Sequence, residues 1–340
     1  MCGMGPPRMT LVIFKVNQLG DNVVFLPVVQ ALVAALKEWK IVVVTSPVAA
    51  RLYEVCCPGV AVKTFATAEF NGAWRHPLRL GRIAAEIRGL GPDACLLGDD
   101  QGSVAHLLAR LGGARVNVGP RTERVRLNAL LPDRVPQVAG EHVAAHNWRI
   151  ADRLLQRLEL PGLPPGVPPP DLGAFGREDH GAVLIHAGAS RAYKRWPVER
   201  FVELANRIQE KHPVIWIGQD CPEEQALAAD VRRQSVGTLD GFIRLMAGAR
   251  HFVGNNSGPM NIASALGVSG TILNGPSAAN WDPPWHGERF DLLRDPALAC
   301  QPCDPLTHPA NVCQNREHPM ACMLRWSVDD VLKEVSRRLG

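Results

Sequence analysis

The sequence predicts an α/β protein built from two doubly wound, Rossmann-like domains with parallel sheets. Short apolar runs rich in β-formers alternate with amphipathic runs of helical periodicity, which is typical of parallel sheets covered by helices on both faces. This alternation occurs twice, once on each side of a proline-rich segment. A chain of 340 residues is long enough for two domains of about 150 residues each.

The first series begins with the β-rich run LVIFKV at 11–16, which is followed by the polar turn Asn17-Gln18-Leu19-Gly20-Asp21 and then by apolar residues at helical spacing. Further apolar runs and amphipathic runs continue the alternation. Strands are predicted at 11–16, 41–45, 60–65, 94–97 and 115–118, and helices at 23–36, 47–55, 75–87, 103–111 and 142–160.

Six prolines and two glycines lie between Pro161 and Pro170. Such a segment lacks several backbone donors, cannot continue a helix and makes a stiff connection. We therefore predict an N-terminal, acceptor-side domain over 1–160, a linker over 161–175 and a C-terminal, nucleotide-sugar-binding domain over 176–340. Its predicted strands are 182–186, 214–217, 251–253 and 270–273, and its predicted helices are 198–211, 223–234, 239–246 and 259–266.

Composition excludes several classes of protein. The chain is 46% hydrophobic and 21% charged, which indicates a globular protein, and its formal charge of +4 does not predict a nucleic-acid partner. No apolar run approaches the roughly 20 residues of a membrane span, and residues 1–7 lack the apolar region of a secretory signal. We expect a cytoplasmic protein with at most peripheral contact at the inner face of the membrane.

Three polar motifs each end a predicted strand and open a helix, where ligands of open α/β sheets bind. In the first, Gly20 lets the backbone approach a phosphate or sugar and Asp21 presents a carboxylate, although an aspartate there can equally cap the helix. Asp99 and Asp100 also end a strand, where a turn role is as well supported as a ligand role.

The second and third motifs are more typical of anion binding. Gly188 and Ser190 form a turn after a strand and are followed by Lys194 and Arg195, which can hold a diphosphate. The third motif runs from Gly254 to Asn261 and opens a helix of small residues, whose N-terminal amides favour an anion. The alternative to a ligand site is a loop with solvated surface cations for the second motif and an ordinary capped turn for the third.

Four of the nine cysteines follow the pattern Cys300-x2-Cys303-x9-Cys313-x8-Cys322 within a Cys-rich loop over 300–322. A C-x2-C pair can bind one metal ion, and two further thiolates complete a tetrahedral set. We predict a structural zinc or iron ion there, with reduced cysteines in a loop as the alternative. Disulfides are disfavoured in a cytoplasmic protein.

These motifs together resemble glycosyltransferase family 9, which contains the lipopolysaccharide heptosyltransferases, and the resemblance covers nearly the whole chain. The segments that carry it are 16–22, 97–102, 186–190, 194–197, 256–261 and 274–276. It implies the GT-B fold, a cleft between the two domains and inverting transfer from an ADP-activated heptose. It also implies that no catalytic divalent metal is needed.

Site residues follow from the resemblance by position. Asp21 is the expected general base, and Lys194 is expected at the diphosphate. The amides around Ser257 and Gly258 are expected to hold phosphates, and Glu223 or Glu224 to bind the nucleotide ribose. The sequence departs from the family in one motif, because Asn256 stands where aspartate is usual and Asn261 where histidine is frequent.

Other functions stay open at this stage. The Asn256 and Asn261 replacements allow a catalytically silent GT-B protein that only binds a sugar nucleotide, and a sugar-nucleotide epimerase is a further alternative. The acceptor of a transfer could be a glycan, a glycolipid or a protein hydroxyl. The cysteine pattern is similar to the four-cysteine iron site of the autotransporter heptosyltransferases, which carry an extra N-terminal domain.

Overall fold

A computed structural model describes residues 9–121, 126–218, 221–235, 237–303, 312–313 and 315–340. The chain divides into two compact units, Met1–Pro170 and Asp171–Gly340, and this division falls within the predicted linker. Each unit contains one parallel sheet flanked by helices, so the predicted α/β fold class is confirmed. No helix among the described residues is long and apolar enough to cross a membrane.

The described residues of the first unit form a six-stranded parallel sheet in the order β3-β2-β1-β4-β5-β6. Its strands are β1 Thr10–Lys15, β2 Lys40–Thr45, β3 Ala61–Thr64, β4 Ala94–Leu97, β5 Val116–Arg121 and β6 Asp133–Pro136. Its helices are α1 Leu19–Ala35, α2 Pro47–Cys56, α3 Thr67–Gly72, α4 Pro77–Gly89, α5 Ser103–Gly112 and α6 Val143–Arg157. Strands β1 and β4 are buried at every position, as their continuous apolar runs predict.

The described residues of the second unit form another six-stranded parallel sheet, in the order β12-β11-β10-β7-β8-β9. Its strands are β7 Val183–His186, β8 Val214–Gly218, β9 Arg232–Ser235, β10 His251–Asn255, β11 Gly270–Leu273 and β12 Phe290–Leu293. Its helices are α7 Val198–Gln209, α8 Leu239–Ala247, α9 Gly258–Ala265, α10 Ala321–Leu324 and α11 Val328–Leu339. Ser327 and Asp330 begin α11 with a reciprocal capping box.

The strand orders place a topological switch point in each sheet, between β1 and β4 in the first and between β7 and β10 in the second. At a switch point the chain leaves neighbouring strands in opposite directions, so a crevice opens at their carboxyl ends. The predicted polar motifs all follow one of these four strands. The fold therefore brings sequence-distant motifs together in pairs.

The predicted helix over 223–234 is wrong. That segment instead contains a short 3-10 helix, Pro222–Ala226, and the polar edge strand β9. An edge strand with exposed arginines carries no apolar alternation, and sequence periodicity therefore missed it. The short strands β6 and β12 and the helices α3 and α11 were also absent from the sequence prediction.

Candidate functional sites

Asp21 lies in the first turn of α1, directly after the end of β1. It is partly buried beside a cluster of charged groups at the first switch point. That cluster contains the amine of Lys15, the last residue of β1, and the carboxylates of Asp99 and Asp100, which follow β4. Asp99 and Asp100 lie in the turn after β4, as one alternative predicted, and their carboxylates also face Lys15.

Burial and the neighbouring Asp100 raise the pKa of Asp21 to about 7, while Lys15 acts in the opposite direction. A carboxylate is a stronger base when its pKa is higher, provided that it is still deprotonated at the working pH. A carboxylate with this pKa can accept a proton near neutral pH. Gly20 is buried within the same turn.

In the second unit, Asn255 joins the second and third motifs. Its Nδ2 donates to Ala187 O at 2.8 Å, and its Oδ1 accepts from the backbone nitrogen of Trp196 at 3.0 Å. Asn255 is fully buried at the end of β10, and Ala187 follows β7. The two motifs are thus parts of one site, although Asn255 was not among the predicted site residues.

Helix α9 begins in this site. Ser257 is its N-cap residue in extended conformation, and Gly258 is its first residue. The side chain of Asn256 is mostly buried and donates to Trp281 O at 3.2 Å. Asn261 is also buried, one turn into α9. The first-turn amides and partial positive charge of α9 make this a suitable place for a phosphate.

The other predicted donor residues follow strands β7 and β8. Gly188 is buried, Ser190 is exposed, and the partly exposed Lys194 ends a short 3-10 helix, Ala192–Lys194. Of the two glutamates, Glu224 lies across the carboxyl end of β8, since a Cβ at Gly218 would be 2.7 Å from its Oε2. Among the described residues, Glu223 has no such contact with the end of β8. Glu224 is therefore the better candidate for binding the ribose.

A cavity of about 230 Å³ lies beyond the ends of β8 and β9. Its lining combines apolar side chains with small polar residues: Glu178, Ile217, Gln234, Ser235, Gly237, Thr238, Gly241, Phe242 and Leu245. None of these was predicted as a site residue. The missed signal was strand β9, because an edge strand there places Gln234 and Ser235 at the same sheet edge as the other motifs.

The cysteines of the 300–322 loop lie close to the turn after β11. Cys303 N donates to Pro276 O at 3.0 Å, and a Cβ at Gly275 would be 2.9 Å from Cys322 Sγ. Burial and the neighbouring Cys303, Cys313 and Cys300 together raise the pKa of Cys322 to about 11, so these three side chains lie within electrostatic range of Cys322. Residues 304–311 and 314 of this loop lie outside the described residues.

Within the described part of the chain, no three histidine, cysteine, aspartate or glutamate side chains converge closely enough to hold a metal ion. The described cysteines form no disulfide. The predicted metal site is therefore not confirmed by this geometry.

Comparison with known proteins agrees with these features. Residues 170–308 match the model of glycosyltransferase family 9 (heptosyltransferase). A lipooligosaccharide heptosyltransferase 2 of Campylobacter jejuni is 24% identical over 166 residues, which are 45% of this chain and 50% of that protein. The chain thus spans about half the length of the curated relative that it matches.

Solved structures extend the likeness to both units. The E. coli heptosyltransferase WaaC with ADP-2-deoxy-2-fluoro heptose has a TM-score of 0.72 at 16% identity. This match covers 97% of the present chain and 99% of the WaaC chain. The iron-containing dodecameric glycosyltransferase TibC from enterotoxigenic E. coli has a TM-score of 0.60 at 14% identity, over 98% of this chain and 77% of its own. These likenesses show the GT-B fold.

Proposed function

We propose a function for this protein from the premise that its second domain belongs to glycosyltransferase family 9. The proposed reaction is transfer of a heptose from ADP-heptose to an acceptor hydroxyl with inversion at the anomeric carbon. The observation that carries the proposal is the partly buried Asp21, whose pKa near 7 suits a base, at the switch point of the first sheet.

In the proposed reaction, Asp21 takes the proton of the acceptor hydroxyl while that oxygen attacks the anomeric carbon of the donor. The bond between the anomeric carbon and the diphosphate oxygen breaks, and its electron pair leaves with the nucleoside diphosphate. No covalent sugar–enzyme intermediate is needed, since one displacement inverts the configuration.

Cationic groups and N–H donors would stabilise the negative charge that develops on the leaving diphosphate. Lys194 and the first-turn amides at Ser257 and Gly258 are proposed to supply them, because charge-assisted hydrogen bonds strengthen as the charge grows. Gly188 and Ser190 contribute the opposing turn, which Asn255 ties to α9. Asn261 is proposed to hydrogen-bond the donor without proton transfer.

Nucleotide recognition is proposed for the cavity beyond β8 and β9, which shares Gln234 and Ser235 with a neighbouring cavity that Glu224 lines. Its apolar walls suit a base, and a carboxylate beside it can accept from ribose hydroxyls. WaaC was solved with an ADP-sugar analogue, which supports adenine here. Calorimetry with ADP-, GDP- and UDP-sugars tests this directly, and we expect the ADP compounds to bind at least tenfold more tightly.

The main test of the function compares Asp21→Asn with wild-type protein. The variant is expected to lose transfer by about 10²- to 10⁴-fold, as for a missing general base, and to keep its affinity for ADP. Glu54→Gln, an exposed change on α2, is the matched control and should retain full activity. If Asp21→Asn keeps more than about a tenth of the wild-type rate, Asp21 is not the base.

The same variant separates the alternatives. A catalytically silent binding protein would bind the ADP-sugar and show no transfer in either form. An epimerase would change the sugar of a nucleotide donor without an acceptor, and that reaction should be assayed in parallel.

We further propose a glycolipid acceptor and peripheral contact with the cytoplasmic face of a membrane. Trp74, between α3 and α4, and Leu78, in the first turn of α4, expose 61% and 93% of their surfaces, and Arg75 and Arg79 follow them in sequence. Large apolar tips beside arginines suit an anionic bilayer surface. Flotation with phosphatidylglycerol vesicles should recover the protein, and Trp74→Ala/Leu78→Ala should reduce recovery severalfold, unlike Val138→Ala at another exposed apolar site.

A structural zinc or iron ion is proposed for Cys300, Cys303, Cys313 and Cys322. Support comes from the electrostatic range within which the other three side chains lie of Cys322 and from TibC, which contains iron. When bound, a metal would crosslink the loop next to the turn after β11. Four thiolate ligands leave no open position for substrate, so the role would be structural.

A further inference from the structure

Lys15 is a buried lysine that the proposed reaction does not yet use. It is the last residue of β1, and only 1% of its side chain is exposed. Lysine is almost never buried without a charged partner, because removing an ammonium group from water costs several kcal/mol. The arrangement around Lys15 therefore calls for an explanation.

The fold provides a dedicated space for this side chain. A Cβ at Gly98 would be 2.9 Å from Lys15 Cδ, so any larger residue at that position would force the aliphatic stem of Lys15 to shift. The Nζ atom lies 5.4 Å from the centre of the Phe25 ring and 3.6 Å from Asp99 Oδ1, and it is ion-paired with Asp100 Oδ1. The ammonium group thus faces two carboxylates at the switch point.

Both carboxylates are held by other side chains. Asn17 Nδ2 donates to Asp100 Oδ2 at 2.7 Å. Asn147 on α6 donates its Nδ2 to Asp99 Oδ1 at 2.8 Å and accepts from Asp99 N at 2.9 Å. The ion pair is therefore fixed from β1, from the turn after β4 and from α6. The ion pair is part of a buried hydrogen-bonded network and differs from an isolated surface ion pair.

We propose that Lys15 is a positioning residue for the transfer, which holds the carboxylates of Asp100 and Asp99 in place at the switch point and so balances the charge around the base Asp21. The inference rests on the proposed function, because it assigns Asp21 the role of base. Lys15 itself touches neither donor nor acceptor in this scheme.

The charges around Asp21 act in opposite directions. Burial raises the pKa of Asp21 most, Asp100 and Asp99 raise it further, and Lys15 lowers it. Burial lowers the pKa of Lys15, but Asp100, Asp99 and Asp21 together hold it above its usual range, so Lys15 stays charged. The other titratable groups facing the cluster are the Tyr53 phenol on α2, whose pKa burial raises, and His146 on α6 beside Asp99.

The test is a charge cycle with Lys15→Met, Asp100→Asn and the double variant. Removal of the cation should raise the pKa of Asp21 by about one unit, and the acid limb of the kcat/KM profile should move to higher pH. Activity at pH 7 would then fall about fivefold, which corresponds to that one-unit shift. Asp100→Asn removes a repelling charge and should move the limb to lower pH, and the double variant should lie between the two.

Carbon-13 NMR of aspartate-labelled protein, with Asp21→Asn for assignment, reads the same pKa without any assay of transfer. Opposite shifts in the two single variants and a near-wild-type value in the double variant support the proposal, even if the protein transfers no heptose. Slower turnover in all three variants with an unmoved Asp21 titration would assign Lys15 a purely structural role and overturn it. If Lys15→Met does not fold, Asp100→Asn and Lys15→Arg keep the test decisive, because arginine should restore the wild-type titration.

Discussion

At the scale of single residues, the replacement of a usual aspartate by Asn256 has a structural reason in this chain. The Asn256 side chain donates to Trp281 O, and a carboxylate could only accept there. The adjacent Asp282 is paired with Arg294, and Asn274 Nδ2 donates to Asp282 Oδ1 at 2.6 Å. The amide of Asn256 therefore connects the start of α9 to a further polar network.

Asn256→Asp is accordingly predicted to be harmful, although it restores the residue usual in the family. A carboxylate would face the Trp281 carbonyl and repel a diphosphate, and loss of a buried hydrogen bond costs about 1–3 kcal/mol. We expect a lower melting temperature and weaker ADP binding by calorimetry. Asn71→Asp, exposed on α3, is the control, and a faster transfer rate in Asn256→Asp would refute this interpretation.

Lys194 offers a second test at this scale. Lys194→Ala should weaken ADP binding about tenfold or more and leave adenosine binding unchanged, since only the diphosphate carries the charge that lysine recognises. Lys211→Ala, at an exposed position after α7, should change neither affinity. Equal affinities for ADP in Lys194→Ala and wild-type protein would remove Lys194 from the site.

At the scale of elements, the cysteine loop is predicted to depend on a metal for its order. Thiolate binding energy becomes folding energy when a segment lacks a core of its own. Elemental analysis should find close to one zinc or iron per chain, and serine at any of the four loop positions should lower metal content and melting temperature. Cys56→Ser on α2 is the control, and a metal-free preparation with unchanged stability would contradict the prediction.

The contact between strand β10 and strand β11 includes a fully buried histidine. His251 Nδ1 and Nε2 lie 2.8 Å and 2.9 Å from the hydroxyl oxygens of Ser269 and Thr271. Hydroxyls can satisfy a neutral ring on both sides, and burial lowers the pKa of His251 from 6.5 to about 4. The histidine is therefore neutral in the folded chain at pH 5.

At the scale of the whole molecule, this histidine makes folding stability depend on pH. The unfolded chain takes up a proton below pH 6.5, and the folded chain does so only near pH 4, so stability is present above 6.5 and lost as pH falls between these values. The loss at pH 5 is about 2 kcal/mol for this one group. Denaturant unfolding should show that the difference in free energy of unfolding between wild-type protein and His251→Asn becomes smaller from pH 7 to pH 5.

An exposed histidine should give no such effect. His76→Asn, just before α4, is the matched control, and its stability should follow that of wild-type protein at every pH. A constant difference between His251→Asn and wild-type protein across this range would mean that His251 does not couple protonation to folding.

The amino-acid sequence by itself determined the class of fold, the two-domain plan and the position of Asp21 and of the Gly254–Asn261 motif. Apolar strand runs, helical periodicity and glycine turns are local signals, and a buried parallel sheet follows from them.

The tertiary structure decided which of these motifs lie next to each other. Sequence order does not show that β1 lies beside β4 and β7 beside β10. The Lys15–Asp100 ion pair and the hydrogen bond from Asn255 to Ala187 could therefore not be predicted from the sequence. Edge strand β9 and the cavity beside it were missed for the same reason, because polar strands are defined by the neighbour to which they hydrogen-bond and not by a pattern of their own.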